Sequence, residues 1–298
     1  MIAPLLSAVL SARLSAAASG LLALGAAAAA QPAPPAARAD SAIVPPGMQY
    51  LYGSGEAAAI SVQAWHALAD HVALQVRARP RDSVVLAPAA TFAAPAWVPC
   101  GDKPFAAVFD ADETVILNLG FEYDAAKGPQ PPGRWEAWER TGAGSIAPVP
   151  GAVEGLAALR ALGVTVVFNT NRLAANAATN QAAIEGAGLG PARHGDTLYL
   201  QGDDGLKSRK DGRRAMIAQR FCVIAMAGDQ LGDFSDMFQA IASPAQRRAA
   251  TLAPPIAAKW GAGWFVLPNP VYGAGLKGGL DDIFPEDKRW PRPASGRD

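Results

Sequence analysis

The chain has 298 residues, enough for one sizeable α/β domain with an accessory segment and short of two full domains. Its 26 basic and 26 acidic side chains cancel, which removes the electrostatic footprint expected of a protein that binds a nucleic-acid polymer or an anionic membrane. Half of the residues are apolar, so a large core is within reach, and much of the excess is alanine near the N-terminus.

Residues 1–30 are almost all small or apolar, with Arg13 as their only charge, and they end at Ala28-Ala29-Ala30. This pattern reads as a cleavable export signal, followed by a Pro/Ala-rich linker over residues 31–47. The apolar run is too short and too rich in alanine for a stable membrane anchor, and no cysteine stands at the cleavage point to carry a lipid. The expected location is the periplasm or the outside of the cell. The expected domain covers residues 48–280, with a helical segment at 48–100, a catalytic core at 105–275, and a flexible tail at 281–298.

Between Gly55 and Arg79, the residues Ala58, Val62, Trp65, Leu68 and Val72 recur at helical spacing, and Pro80 ends the segment. His66 and His71 lie five residues apart, do not share a helix face, and read as surface or packing residues. Phe105-Ala-Ala-Val-Phe109 is a short buried strand that stops in Asp110-Ala-Asp112-Glu-Thr114. A Gly/Pro-rich excursion at 128–133 and two tryptophans, Trp135 and Trp138, precede a helix at 151–162. A second strand at 164–168 ends in Asn169-Thr170-Asn171-Arg172 and leads to a helix at 174–186. A third strand at 197–201 and a basic helix at 207–219 follow. The fourth strand, 222–227, ends in Gly228-Asp229-Gln-Leu-Gly-Asp233, and residues 265–267 offer a fifth. Strands alternating with helices predict an α/β fold, a doubly wound parallel sheet of Rossmann type. A helical segment precedes it and a small flap or cap is inserted.

In an open parallel sheet the carboxyl ends of the strands line one crevice. Asp110, Asp112, Thr170, Asn171, Asp229 and Asp233 should therefore meet although they are far apart in sequence. Crowded carboxylates repel one another unless a cation joins them, and an all-oxygen set selects Mg²⁺. A phosphate ester brings more negative charge, so the site also needs neutral donors and a lysine, Lys207 or Lys210. In this reading Asp110 attacks phosphorus. Asp112 protonates the leaving oxygen and later takes a proton from water.

These residues resemble the motifs of the haloacid dehalogenase superfamily of phosphatases. Within it the chain is most similar to the class C acid phosphatases, the lipoprotein e (P4) group. The resemblance rests on Asp110-Ala-Asp-Glu-Thr-Val-Ile-Leu-Asn-x-x-x-x-Tyr123, Phe168-Asn-Thr170, Asn171-Arg172, Gly228-Asp229-Gln-Leu-Gly-Asp-Phe234 and Phe265-Val-Leu-Pro-Asn-Pro-Val-Tyr-Gly273. Ser54-Gly-Glu56 and Gln63-Ala-Trp65 look like that group's N-terminal helix. The resemblance implies Asp110 as nucleophile and metal ligand, and Asp112 as acid/base and main-chain metal ligand. It further implies Thr170 as a phosphate binder, Asp229 as a metal ligand, and Asp233 as a supporting group acting directly or through water. Spacing to Asp229 favours Lys210 over Lys207. The first and fourth strands are neighbours in such folds, and Cys100 and Cys222 precede them, which leaves their pairing open. The usual Gly-Asp-Asn of the fourth motif is Gly-Asp-Gln here, so Gln230 lengthens the reach of that amide.

The implied activity is Mg²⁺-dependent hydrolysis of small phosphomonoesters at acidic pH, including 5′-nucleotides. Phe121, Tyr123, Trp135, Trp138 and Tyr272 are the aromatic residues available to stack on a leaving group. A phosphotransferase of the same fold, a non-catalytic phospho-acceptor and a haem-binding surface protein are the alternatives; three histidines without a cluster argue against the last. The sequence leaves a homodimer open.

Overall fold

A computed structural model of the chain describes residues 43–291. The export signal and most of the linker expected from sequence lie outside the described residues, as do residues 292–298. No described helix is long and apolar enough to cross a membrane.

Helix α1 (Pro46–Gly53) starts inside the stretch assigned to the linker, with proline at its first turn where no intrahelical N–H is needed. Helix α2 (Gly55–Ala78) follows, its start capped by the Ser54 side chain, which accepts from the Ala57 N–H at 3.0 Å. A hairpin of β1 (Asp82–Leu86) and β2 (Trp97–Pro99) was not visible in the sequence. Then come β3 (Phe105–Phe109), a short antiparallel pair of β4 (Ile116–Leu117) and β5 (Ala147–Pro148), and between them α3 (Leu119–Ala125) and α4 (Arg134–Thr141). The remainder runs α5 (Ala152–Ala161), β6 (Thr165–Leu173), α6 (Ala177–Gly186), β7 (Leu198–Gln201), α7 (Asp211–Arg220) and β8 (Cys222–Gly228). It ends with α8 (Pro244–Leu252), α9 (Pro254–Ala257), β9 (Trp264–Val266) and α10 (Leu280–Ile283). Helix α10 and a 3₁₀ turn at Glu286–Lys288 occupy part of the segment expected to be a flexible tail.

The central sheet has five parallel strands in the order β7-β6-β3-β8-β9. Alternate residues of β3 feed two cores, one on each face, as the period of a strand dictates. Ala107 and Phe109 pack with α2, α5 and α6 through Trp65, Leu68, Leu156 and Ile184. Ala106 and Val108 pack with α7 and the hairpin through Ile217, Val84 and Val85, alongside Phe238. Helices therefore cover both faces, as a parallel sheet requires. Trp65 stacks on Phe109 with ring centroids 5.3 Å apart. It can do so because α5 presents Gly155, where an added Cβ would stand 2.4 Å from the indole.

Cys100 and Cys222 are joined by a disulfide that ties the approach to β3 to the first residue of β8. Cys222 is aligned with Phe105 in the ladder, which brings the two cysteines together at the end of the sheet opposite the motif loops. Helix α7 starts at Asp211, later than the expected 207. Lys207 has a backbone φ of 54°, and the first helical N–H groups are taken by a distant acid, Asp236, rather than by a local cap.

Candidate active site

Strands β3, β6 and β8 are hydrogen-bonded neighbours, so their carboxyl-terminal ends open on one cleft. Asp110 leaves β3 with its N–H bonded to Ala227 of β8 at 3.0 Å, which fixes it beside Asp229. Carboxylate oxygens of Asp110, Asp229 and Asp233 lie within 4.8 Å of one another. Lys210 Nζ stands 2.6 Å from Asp110 and 2.6 Å from Asp233. Three crowded carboxylates thus share one ammonium, which contacts two of them. Burial, followed by the attraction of Lys210 and the repulsion of Asp233, leaves the Asp110 carboxyl well above its ordinary range. Burial and Asp233 push Asp229 up to about 7. For Lys210, burial works against the charge but is outweighed by Asp110 and Asp233, and its pKa rises.

This charge deficit is a test of whether the residues suit a metal. Oxygen ligands on opposite sides of one Mg²⁺ stand about 4.2 Å apart, and on one Ca²⁺ about 4.6–5.2 Å. The span and the all-oxygen donor set fit a hard divalent cation. The neighbouring groups fix the donors. Asp229 accepts from Thr114 Oγ1 (3.2 Å), Gln230 Nε2 (2.9 Å) and Asn269 Nδ2 (2.7 Å). Gln230, the residue that departs from the usual motif, still delivers an amide hydrogen to Asp229. Asp233 accepts from the Gln230 N–H at 2.8 Å. Gly228 is required here, because a Cβ would come within 2.4 Å of the Asp233 carboxylate.

Asp112 is held differently. Its Oδ1 accepts from Arg172 Nε (3.0 Å), Arg172 Nη2 (2.8 Å) and Asn118 Nδ2 (3.0 Å). Its Oδ2 has only the Thr170 hydroxyl, at 3.5 Å. Asp112 lines the cleft with one oxygen anchored and the other lightly held, a suitable arrangement for a group that carries a proton. Arg172 is itself buried, and it also donates to Asn118 Oδ1 at 2.8 Å.

Thr170 is fully buried, and its Oγ1 accepts from the Arg172 N–H at 3.2 Å. Asn171 lines the cleft; its Nδ2 donates to Ser208 O at 3.1 Å and its Oδ1 accepts from Arg213 Nη2 at 2.7 Å. Of the two lysines open in the sequence, Lys210 reaches the carboxylates, while Lys207 is exposed and away from the cleft wall.

The aromatic residues divide. Phe121 and Trp135 line the cleft, edge to face with centroids 5.0 Å apart. Tyr272 lines it too, with its hydroxyl bonded to Glu113. Two of the sequence-based stacking assignments need correction. Tyr123 is 68% exposed with Lys127 over its ring, because α3 turns that face to solvent. Trp138 packs against Gly120 and Gly142 and donates from Nε1 to Asn118 Oδ1 at 3.1 Å, so it supports the Asp112 network from beneath. Neither lines the cleft.

Several contributors went unassigned in the sequence. Arg172, Asn118 and Asn269 act through buried hydrogen bonds, and although all three fall inside the motif-like stretches, nothing local marks their partners. Glu113 is 1% exposed with φ 53°; it accepts from Tyr52 of α1 (3.1 Å), from Tyr272 and from the Asn118 N–H (3.0 Å). Burial and Asp112 raise it to about 7. It clamps the catalytic loop between the N-terminal helix and the segment after β9.

Carboxylates, a lysine and a threonine gathered at the strand ends of a parallel sheet are the equipment of phosphoryl-transfer chemistry. The family comparison narrows this. Residues 54–275 match the family model described as HAD superfamily, subfamily IIIB (acid phosphatase); the chain belongs to that family, and it is a phosphomonoester hydrolase. Solved structures of the class C acid phosphatase from Bacillus anthracis share the fold. One has a TM-score of 0.63 at 23% identity, covering 77% of this chain and 84% of the other. A second, with tungstate bound, has a TM-score of 0.63 at 21% identity over 80% and 92%. No curated protein matches the chain in the corresponding comparison.

Proposed function

We propose that the protein is an exported, Mg²⁺-dependent acid phosphatase that hydrolyses small phosphomonoesters, 5′-nucleotides among them, through a phosphoaspartate on Asp110. The observation that carries this reading is the meeting of Asp110, Asp229 and Asp233, with Lys210 on two of them, beside an Asp112 whose Oδ2 is held only by the Thr170 hydroxyl. Mg²⁺ would be held by Asp110, Asp229 and the main-chain carbonyl of Asp112, with Asp233 reaching it directly or through water, and would screen the nucleophile from the charge of the phosphate.

The chain's own residues do the rest. Lys210, the Thr170 hydroxyl and Asn171 bind the phosphate oxygens. Asp110 attacks phosphorus, and the bond from phosphorus to the leaving oxygen breaks as Asp112 delivers its proton to that oxygen. Water then attacks the phosphoaspartate and gives a proton to Asp112. Phosphate departs, and both carboxyl groups return to their starting states. Phe121 and Trp135 offer an aromatic wall for a nucleoside or aryl leaving group.

Hydrolysis of p-nitrophenyl phosphate and 5′-nucleotides should stop on chelation with EDTA, return with Mg²⁺ more fully than with Ca²⁺, and be abolished in Asp110→Asn. Turnover retained by the folded Asp110→Asn protein would refute the assignment.

A further inference from the structure

The cleft is larger than a phosphate and a simple alcohol need. Its volume is about 1310 Å³, above the usual range of roughly 300–1,000 Å³ for a small-molecule site. Its charge is also uneven. Every acidic side chain on its wall, Asp110, Asp112, Glu122, Asp229 and Asp233, belongs to the metal end or the flap. The segment after β9 runs from that end into a second limb. Asn269 binds Asp229, the Tyr272 carbonyl accepts from Gln230 at 3.3 Å, and the Ala274 carbonyl accepts from both terminal nitrogens of Arg247 at 2.8 and 2.7 Å. Arg247 therefore fastens α8 to this segment, leaving Arg248 on α8 and Lys277 beyond it exposed on the wall of the limb. Among the described residues neither has an acidic partner or a hydrogen bond of its own. From Asn269 to Ala274 the chain spans at most about 18 Å, within the length of an extended small molecule.

We propose that this limb is a second anion subsite, in which Arg248 and Lys277 bind a phosphate carried on the leaving alcohol. Phosphomonoesters whose alcohol bears a second phosphate are then the preferred substrates. The inference rests on the phosphatase reading of the Asp110 end. An arginine fork and a lysine ammonium suit a phosphate dianion, and the acids of the adjoining α10 are engaged elsewhere, Asp281 by Arg289 and Asp282 by the Gly279 N–H.

A series of α,ω-alkanediol bisphosphates of increasing length, each set against the alkyl monophosphate of equal length, tests the subsite in the Mg²⁺-loaded enzyme. The expected result is a kcat/KM advantage of about ten-fold for the bisphosphate at one preferred length, carried by KM. The Arg248→Ala/Lys277→Ala double variant should lose that advantage, and Arg248→Lys should keep part of it. Equal kcat/KM at every length, or an advantage untouched in the double variant, would overturn the subsite. Calorimetric titration of Mg²⁺-loaded Asp110→Asn with the same compounds needs no turnover. Tighter binding of the bisphosphate there, with neither compound hydrolysed by the wild type, would refute the Asp110 mechanism and uphold the subsite; equal binding would refute the subsite.

Discussion

Replacing Arg172 by methionine should damage both stability and rate, and the structure sets the scale of each. Arg172 is 2% exposed and gives two charge-assisted hydrogen bonds to Asp112 Oδ1, with further contacts to Asn118 and Asn180. Removing one member of a buried ion pair strands the other charge and costs about 3–5 kcal/mol. The variant should therefore unfold at a clearly lower urea concentration. Its rate should fall by about 10²-fold or more, the lower end of what a positioned acid/base contributes, because only Asn118 and the long Thr170 contact still orient the Asp112 carboxylate. The separation of these effects comes from a double-mutant cycle. If Arg172 acts through Asp112, then Arg172→Met should lower kcat by no more than about three-fold in an Asp112→Asn background, where the acid is already lost. Steady-state hydrolysis of p-nitrophenyl phosphate by the four proteins, with urea curves alongside, gives the answer. An equal loss of kcat in both backgrounds would refute the positioning role.

Other expectations concern parts of the fold that surround the site. The Cys100–Cys222 bridge closes a separation of 122 residues, for which chain entropy gives about 5 kcal/mol; an unchanged urea midpoint in the Cys100→Ser/Cys222→Ser variant would contradict that contribution. Gly155→Ala should cost about 1–3 kcal/mol by driving Trp65 off Phe109, and wild-type thermal stability would show that the helix contact is looser than described. Glu122 lies on the cleft wall with its carboxyl raised to about 7 by burial. A raised carboxyl is neutral below that pH and anionic above it. KM for a phosphate dianion should accordingly rise as pH passes through 7, and Glu122→Gln should flatten the rise; parallel KM profiles would dismiss Glu122 as the cause.

The parallel sheet and its order of chemistry were legible because strand ends speak in local code. An apolar run that stops abruptly in Asp110-Ala-Asp112, and another that stops in Gly228-Asp229, announce themselves without any tertiary knowledge. Strand β6 was underestimated: sequence stopped it at Phe168, whereas the ladder continues to Leu173 through polar residues that hydrophobic pattern cannot credit. The β1–β2 hairpin was invisible for a similar reason, since Trp97–Pro99 is three residues long and ends in proline. Trp138 and Tyr123 show the other limit. Both are aromatic residues near a cleft, but which way each points depends on how α4 packs, through Trp138, on Asn118 and Gly120 at the start of α3. Arg172 was in plain view beside Thr170, yet its role exists only because Asp112, sixty residues earlier, folds onto it.

The most direct test of the central claim is chemical capture of the phosphorylated enzyme. Wild-type protein quenched in acid during turnover of a 5′-nucleotide, then reduced with borohydride and digested, should yield a peptide in which Asp110 has become homoserine, visible by mass spectrometry. The same workup without substrate should leave Asp110 unchanged. Full turnover with no modification at Asp110, or reduction mapping to another carboxylate, would contradict the phosphoaspartate mechanism.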